Sequence, residues 1–435
     1  MKITAFCVTI YKRGGEHTER LIFHIDVNSA FLSWEAARRV SRGEDDIRLI
    51  PSAIGGDREK RTGVILAKSI PAKKHGIKTG EPVAMALRKC PSLFLAKPDF
   101  RLYTKCSAAF IEVCKKYAPA VEQFSIDECF LDMSGTQRLY PDPIKIAETI
   151  KNEIRDTLGF TVNIGIGPNK LFAKMASDFE KPDKIHTLFF DELEEKFYPL
   201  PIRELFTVGA STADKLQRIN IRTIGDLARL DLAAVQSIIG NKFGVQLYNF
   251  ARGIDDSPVE SEPHEAKGYG NSVTLEENVV TYDRANAILL ALCDSVSARM
   301  RADGMKTTCI SVTIRSDKFK NSSRQRTLDA PTDITGEIYA VSKSIFAALW
   351  DRRTPLRLIG VSLTGITDGE DVQLSLFSQS NDEKKEKERK VDHAIDAIRN
   401  QFGTDKLMRG TTVVSHVSVG KKHSAQIDEM HGKEE

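Results

Sequence analysis

The stretch FSIDECFLD, residues 124–132, places two adjacent carboxylates inside an apolar run. Strand-forming residues on both sides, closed by Ser134-Gly135, predict a strand, a tight reversal and a second strand. Neighbouring side chains of a strand point to opposite faces, so Asp127 and Glu128 can serve one site only if the chain turns there. Two buried like charges repel each other and lose hydration, and a divalent cation would remove both costs. The alternative is a solvated turn whose acids have no function.

A third acid ends another short apolar strand, LIFHID at residues 21–26. Asp26 and Asp127 thus come from distant parts of the chain, and each stands at the end of a strand or in a strand reversal. Two such aspartates suit a pair of Mg²⁺ ions, because Mg²⁺ favours carboxylates together with substrate phosphates. Paired ions clamp the attacking and leaving oxygens of an in-line phosphoryl displacement. We therefore expect Asp26, Asp127 and Glu128 to gather around shared cations.

The composition sets limits on the class of protein. A chain of 435 residues is too long for one core and predicts several domains. The net charge is only +3, so any nucleic-acid-binding surface has to be local. The seven cysteines are scattered, which favours reduced thiols and a cytoplasmic protein. No apolar stretch approaches a membrane span, and the apolar start at residues 1–10 is too short for a signal peptide.

Several motifs in a fixed order resemble one family. DVNSAF at residues 26–31, SIDE at 125–128 and GIGPNKLFAKMAS at 165–177 are similar to the motifs of a Y-family translesion DNA polymerase of the bacterial DNA polymerase IV type. The similarity runs from about residue 21 to residue 377. It implies an α+β fold with the polymerase right-hand architecture: palm, small fingers, helical thumb and a C-terminal little-finger α/β domain.

The order of predicted elements and the resemblance together define the expected domains. They are an N-terminal extension at 1–20, the palm at 21–30 and 97–188, the fingers at 31–96, the thumb with a helix-hairpin-helix at 189–253, a linker at 254–266, the little finger at 267–366 and a tail at 367–435. We expect the little finger to be a small sheet with two helices on one side. In the tail, residues 381–390 are predicted to be charged and mobile, and 391–402 to form an amphipathic helix.

The resemblance implies template-directed, error-prone translesion DNA synthesis, in which the primer 3′-OH attacks the α-phosphorus of a dNTP and expels pyrophosphate. Asp26 and Asp127 would hold two Mg²⁺ ions, or Mn²⁺ in their place, together with the Val27 carbonyl. Glu128 would complete the site by orienting the 3′-OH end and its metal. Many family members have a further acid where this chain has Asn28, so metal affinity can differ.

Phe31 begins the helix that follows Asp26. Most phenylalanines at such positions are core residues. The resemblance implies a steric gate instead, a ring under the incoming sugar that leaves no room for a 2′-OH.

The triphosphate contacts are expected at two places. The family usually presents a tyrosine and an arginine where this chain has Ile70 and Lys73. Lys73 can meet phosphate as a point charge without the fork of arginine, and a solvated basic turn is the alternative. Lys170 lies at a helix start and matches the family's triphosphate-contacting lysine. Lys174, one turn later, is expected to be a helix-surface lysine.

Contacts with primer–template DNA are expected in two domains. Residues 206–228 resemble a helix-hairpin-helix in which Asn220 replaces the usual glycine, and asparagine tolerates positive φ. A plain helical hairpin is the alternative. In the little finger a basic hairpin is expected to contact the sugar-phosphate backbone without sequence preference. The alternative is a solvated charged hairpin, which would have the same sequence pattern. Its cations are Arg315, Lys318, Lys320, Arg324 and Arg326.

The tail contains DVQLSLF, residues 371–377, which resembles the bacterial sliding-clamp-binding peptide. Gln373 and the anchors Leu374, Leu376 and Phe377 would bind weakly, and the tether would raise their local concentration at the clamp. The expected partners are therefore primer–template DNA, a dNTP and a sliding clamp, with the chain itself a monomer.

Two rival functions remain open at this stage. Another two-metal palm enzyme, such as a nucleotide cyclase, would not need the DNA-binding hairpins or the clamp peptide. A non-catalytic clamp- and DNA-binding accessory protein would fit the altered Ile70, Lys73 and Asn28 but not the intact acids. Primer extension separates the second rival from a polymerase.

Overall fold

The computed structural model describes residues 20–56, 63–262, 265–368, 382–403 and 406–410. They fall into two compact units, one within Met1–Gly55 and Ile65–Pro263, the other within Gly56–Val64 and His264–Glu435. Most of the predicted N-terminal extension and the predicted clamp peptide lie outside the described residues.

The first unit combines strands and helices. Its strands are β1 (Ile22–Val27), β2 (Ser52–Gly55), β3 (Ile65–Lys68), β4 (Phe94–Ala96), β5 (Ala120–Gln123), β6 (Glu128–Asp132), β7 (Val162–Gly167) and β8 (Ile185–Thr187). Its α-helices are α1 (Ala30–Ser41), α2 (Ile70–Lys74), α3 (Val83–Lys89), α4 (Phe100–Lys115), α5 (Pro143–Leu158), α6 (Lys170–Ser177), α7 (Ala210–Gln217), α8 (Ile224–Ala228), α9 (Leu232–Ile239) and α10 (Asn241–Phe250). Short 3₁₀ or π turns occupy Phe190–Glu192, Leu193–Phe197 and Ile202–Glu204.

The central sheet of this unit has the strand order β5-β6-β1-β7-β8. Strand β1 is antiparallel to both β6 and β7, and β5 and β6 form the predicted hairpin. Helix α6 packs on β1 and β7, whereas α4 contacts β5 and α5 contacts β7. The predicted α+β palm sheet is thus the framework on which the acids lie.

Helix α6 approaches the sheet closely because β7 carries glycines. A Cβ atom on Gly165 would lie 2.0 Å from the carbonyl oxygen of Ala173, and one on Gly167 would lie 2.7 Å from the Cβ of Phe172. Only glycine leaves room for this packing. The GIG sequence therefore fixes how near the side chains of α6 come to the face of β1.

A smaller sheet, β3-β2-β4, lies in the predicted fingers and carries its own core with α2 and α3. In the predicted thumb, α7 and α8 flank Asn220, whose φ is +62°. The asparagine thus takes the left-handed conformation that the turn requires. Thr223 caps α8 by accepting a hydrogen bond from Asp226 N at 3.1 Å.

The first part of the predicted linker at 254–266 forms hydrogen bonds with the first unit. The Lys170 Nζ atom reaches the Pro258 carbonyl at 3.3 Å, and Glu260 N donates to Glu122 Oε2 at 2.9 Å. This part of the linker therefore has fixed contacts.

The second unit contains β9 (Gly268–Val279), β10 (Lys306–Ser316), β11 (Asn321–Thr332), β12 (Leu356–Thr367), α11 (Tyr282–Ala302), α12 (Thr335–Leu349) and α13 (Asp382–Phe402). The strands form an antiparallel sheet of order β11-β10-β12-β9. Helices α11 and α12 pack together on the apolar face, as the sequence predicts.

Helix α13 corrects one expectation about the tail, because residues 382–390, predicted to be mobile, belong to this helix. Ion pairs explain its position: Arg389 Nε lies 3.1 Å from Asp333 Oδ1, and Arg301 Nε lies 2.7 Å from Asp396 Oδ2. Arg301 is itself buried. Among the helices that the structure describes, none is long and apolar enough to cross a bilayer.

Candidate active site

The predicted acids meet at one end of the central sheet. Asp26, near the end of β1, lies directly opposite Glu128 of β6 and Asn163 of β7. Residues paired this way in antiparallel strands place their side chains on the same face. Asp127 adjoins them, since its carbonyl oxygen accepts a hydrogen bond from Val27 N at 3.0 Å. The structure therefore brings Asp26, Val27, Asp127 and Glu128 together.

Asp127 lies in the turn between β5 and β6. The Ser125 hydroxyl donates to its Oδ1 atom at 2.8 Å. Burial raises the pKa of the Asp127 carboxyl, and the negative charges of Asp26 and Glu128 add to this increase despite the Ser125 hydrogen bond. Among the residues that the structure describes, no cationic side chain pairs with this carboxyl, as expected at a site that binds a cation.

Glu128 has the opposite electrostatic environment. Its Oε2 atom lies 3.0 Å from His24 Nε2 and 2.5 Å from Lys174 Nζ. Burial alone would raise the pKa of Glu128, but the hydrogen bonds from His24 and Lys174 outweigh it and lower the pKa to about 2. Glu128 is therefore ionised at every ordinary pH.

The prediction that Lys174 is a helix-surface lysine is wrong. Its side chain is only 12% exposed and pairs with Glu128. Position 174 lies on the side of α6 that faces the sheet. The helical spacing of Lys170 and Lys174 showed a shared side of the helix but not what that side would contact.

Lys181 belongs to the site and was missed by the sequence reasoning. Its ammonium group pairs with Asp26 Oδ2 and lies 2.8 Å from Asp178 Oδ1. Burial alone would lower the pKa of Lys181, but the two aspartates raise it above its usual value. Nothing in the local pattern around residue 181 distinguishes it from a surface lysine.

The oxygen donors at this end of the sheet fit a divalent cation of the Mg²⁺ type. Within the described residues, no group of three His, Cys, Asp or Glu side chains is placed so that it could hold a metal ion by itself. Mg²⁺ does not need one, because it takes several ligands from water and substrate phosphates. The uncompensated Asp127 and the Val27 carbonyl beside it supply hard oxygen donors for such an ion.

Phe31 is half-buried near the start of α1, a few residues after Asp26. Its ring stacks on Tyr103 with 4.6 Å between centroids and an interplanar angle of 24°. Trp34 and Phe100 meet the same ring edge-on at 5.8 and 6.1 Å. Tyr103 and Trp34 are fully buried, so the position of the Phe31 ring is well defined.

Neither of the two predicted triphosphate lysines forms an ion pair with the acids in the described part of the chain. Lys170 pairs with Glu122 Oε2 at 2.6 Å. It follows Gly167, which is opposite Ile22 at the other end of β1 from Asp26. Lys73 is exposed on the short helix α2. Both assignments stay predictions, and the position of Lys170 argues against its assignment.

The predicted DNA-binding cations of the second unit lie on β10, β11 and their connecting turn, but they do not share one face. Arg324 and Arg326 are opposite the buried Val312 and Ile310, so they project on the helix side of the sheet. Arg326 there donates to Ser344 Oγ at 3.3 Å. Lys318 and Lys320 are exposed in the turn. The side chain of Arg315 lies on the opposite face of the sheet, which no described helix of the second unit covers and which we call the open face.

The open face of this sheet is a feature that the sequence reasoning missed. Small residues line a shallow depression beside Arg315 and Arg299: Gly270, Ser272, Thr313, Gly360 and Ser362. Glycines and hydroxyl side chains permit close approach of a polymer backbone, and the nearby arginines provide positive charge. Single residues at alternate positions of three strands were not recognisable as one surface in the linear sequence.

Acids at one end of the central sheet, with lysines beside them, are the arrangement expected of an enzyme that transfers phosphoryl groups. Comparison with known proteins places the chain in a family. Residues 25–178 match the impB/mucB/samB family, residues 266–376 match the C-terminal domain of that family, and residues 203–255 match the thumb domain described for DNA polymerase-iota.

Relatives match over nearly their full length. DNA polymerase IV of Clostridium acetobutylicum is 42% identical over 90% of this chain and 97% of that protein. DNA polymerase IV of Alkaliphilus oremlandii is 36% identical, with 91% and 99% covered, and DNA polymerase IV 1 of Bacillus subtilis is 32% identical, with 94% and 97% covered. The chain therefore belongs to the DNA polymerase IV family of Y-family DNA polymerases.

A solved structure supports the fold. A Y-family DNA polymerase chimera aligns with a TM-score of 0.69 at 22% identity, covering 80% of this chain and 99% of that chain. The predicted α+β polymerase fold and the predicted class, a translesion DNA polymerase, are confirmed. The comparisons give no support to a non-catalytic accessory protein.

Proposed function

We propose that this chain extends a DNA primer by transferring a dNMP from a dNTP to the primer 3′-OH, at the end of the sheet where Asp26, Asp127 and Glu128 meet. The observation that supports this proposal most is their convergence from β1 and from the β5–β6 hairpin. Family membership supports dependence on a divalent metal. Two Mg²⁺ ions, or Mn²⁺ in their place, are our specific proposal.

The residues at this site have different proposed roles. Asp26, Asp127 and the Val27 carbonyl would hold the cations, which would supply positive charge to stabilise the oxygens of the reaction. Glu128 uses Oε2 for His24 and Lys174, so Oε1 can face the primer end. Lys181, beside Asp26, can donate charge-assisted hydrogen bonds to a triphosphate bound there. The proposed steric gate is Phe31, held by Tyr103.

The proposed DNA contacts are sequence-independent. The helix-hairpin-helix around Asn220 can direct backbone amides at one phosphate. In the second unit, Arg315 and the small residues of the open face can follow a sugar-phosphate backbone, and Lys318 and Lys320 extend the positive charge along the turn. Arg324 and Arg326 remain proposed contacts at the edge strand β11.

The proposed function is tested by primer extension with the full-length chain, a primed single-stranded template, all four dNTPs and Mg²⁺. We expect template-directed extension that EDTA abolishes and that Mg²⁺ restores. Failure of the pure wild-type chain to extend the primer with either Mg²⁺ or Mn²⁺ would favour an accessory protein.

We also propose that the chain acts as a cytoplasmic monomer that binds a sliding clamp through Gln373, Leu374, Leu376 and Phe377. The peptide is supported by its sequence pattern alone, because it lies outside the described residues. Its apolar anchors sit between charged segments, and a tethered peptide of this kind gains from high effective concentration.

Replacing both Leu376 and Phe377 with alanine should leave extension without clamp unchanged. Stimulation by clamp loaded on primed circular DNA should fall about 10-fold or more, because the buried anchors of such a peptide supply most of its binding free energy. Replacing Val372 and Ser375 is the matched control and should retain stimulation. Equal stimulation of the anchor variant and the wild-type chain would refute the assignment.

A further inference from the structure

His24 lies under the acid cluster and has no role in the mechanism described so far. It is fully buried on β1, two residues before Asp26, and its side chain therefore shares the face of Asp26. Its Nε2 atom lies 3.0 Å from Glu128 Oε2, and its Nδ1 atom lies 2.8 Å from Ser177 Oγ. Every polar atom of the imidazole ring is thus engaged.

The surroundings of His24 hold the ring in one place. Phe130 packs against it with 4.7 Å between ring centroids. Gly165 is directly opposite on β7, and its missing side chain lets α6 bring Ser177 to the imidazole. A larger residue at position 165 would push α6 away and break this contact.

The hydrogen bond to Glu128 selects one tautomer of a neutral imidazole ring. An ionised carboxylate only accepts hydrogen bonds, so the Nε2 atom facing Glu128 has to carry the proton. A neutral imidazole has a single N–H, and Nδ1 then has to accept from the Ser177 hydroxyl. The same hydroxyl could otherwise donate to the Lys174 carbonyl, 2.8 Å away.

We propose that His24 is a positioning residue for Glu128, with Ser177 as the hydrogen-bond partner of the second ring nitrogen. The carboxylate is held at Oε2 by His24 and Lys174, and among the described residues Oε1 has no hydrogen-bond partner. Glu128 therefore presents one oxygen, in one orientation, toward the proposed primer end. This inference rests on the proposed function, because it assigns Glu128 a fixed geometry for that reaction.

Three variants distinguish positioning from space filling. His24→Phe keeps an aromatic ring but cannot donate to Glu128. His24→Gln keeps an amide N–H donor of similar reach. Ser177→Ala leaves the imidazole in place and removes the hydroxyl that donates to Nδ1. Ser297→Ala is the control, because Ser297 is also fully buried and lies on α11 of the second unit.

The first measurement does not depend on activity. Long-range ¹H–¹⁵N NMR of the ¹⁵N-histidine-labelled, metal-free chain reports the tautomer, and His24→Phe identifies the His24 signal. We expect the Nε2–H tautomer in the wild-type chain and in Ser297→Ala. Ser177→Ala should keep the Nε2–H tautomer, because the Glu128 carboxylate alone requires that proton. A wild-type Nδ1–H tautomer would overturn the proposal.

The second measurement separates kcat from KM in single-nucleotide insertion. We expect His24→Phe to lower kcat about 10- to 100-fold, the usual cost of losing a residue that orients a ligand. KM for dNTP and Kd for duplex DNA should stay within about threefold, and His24→Gln should recover most of the rate. Wild-type kcat in a folded His24→Phe variant would also overturn the proposal.

The two proposals can fail separately. If the wild-type chain does not extend a primer, the proposed function fails, and the tautomer measurement alone then decides the role of His24. Should His24→Phe not fold, Ser177→Ala and His24→Gln still provide both readouts. Ser177→Ala should lower kcat less than His24→Phe does, and equal kcat in Ser177→Ala and the wild-type chain would overturn the part assigned to Ser177.

Discussion

Asp127→Asn should lower single-nucleotide insertion by about 10³-fold or more while duplex DNA binding changes less than about threefold. A carboxylate that holds a catalytic cation contributes several kcal/mol of transition-state stabilisation, and each 1.36 kcal/mol corresponds to a factor of ten. The amide keeps the shape of the side chain but removes the charge. Pre-steady-state insertion on a primed template measures the first quantity, and fluorescence anisotropy without dNTP measures the second.

The same substitution should raise thermal stability in EDTA. Burial raises the pKa of Asp127, so its ionised form is less favourable in the folded chain than in the unfolded chain. Above the pKa of the unfolded state this ionisation lowers the free energy of unfolding, and the amide removes the cost. Lower activity together with a higher Tm would identify a functional charge and would not fit a general loss of structure.

Asp132→Asn is the matched control for Asp127→Asn. Asp132 lies on the same hairpin, opposite Ile22 and away from Asp26. Its carboxylate accepts a hydrogen bond from Ser134 N at 2.9 Å, a contact that the asparagine side-chain oxygen can also make. We expect this variant to insert nucleotides at nearly the wild-type rate. Insertion by Asp127→Asn at more than a tenth of the wild-type rate would contradict the assignment of Asp127.

The acids could be predicted from sequence because local patterns position them. A short apolar run predicts a strand that ends near Asp26, and a second pattern predicts a hairpin around Asp127. The strands of both belong to one sheet. The lysines could not be placed in the same way. Lys170 and Lys174 occur in one motif, yet Lys170 bonds Glu122 and Lys174 bonds Glu128. Only the close packing of α6 on the sheet determines this difference.

The second unit shows the same limit. Its sheet with two helices on one side could be predicted because strands and helices have different periods, but alternation along β10 and β11 puts Arg315 and Arg324 on opposite faces. That result depends on the length and geometry of the turn between the strands. Helix α13 was missed in part because Arg389 looks like a solvated charge in the sequence, whereas Asp333, 56 positions earlier, binds it.

Sugar selection should depend on Phe31 because its ring cannot move aside easily. Tyr103 stacks on one side, and the edges of Trp34 and Phe100 meet the same ring. A ribonucleotide 2′-OH placed against this ring would force a rotamer change or a backbone shift. Extra atoms in a packed site typically cost about 1–3 kcal/mol.

Phe31→Ala should therefore reduce selection for dNTP over rNTP by about 5- to 150-fold, the factor that about 1–3 kcal/mol supplies. The change should appear mainly as faster rNMP insertion, because removing the ring opens space that only the 2′-OH needs. The ratio of kcat/KM for dCTP and CTP opposite a template guanine measures it. Phe250→Ala, which removes a half-buried aromatic ring from α10, should leave the ratio unchanged. An unchanged ratio in Phe31→Ala, with dCTP insertion intact, would show that another side chain excludes the ribose hydroxyl.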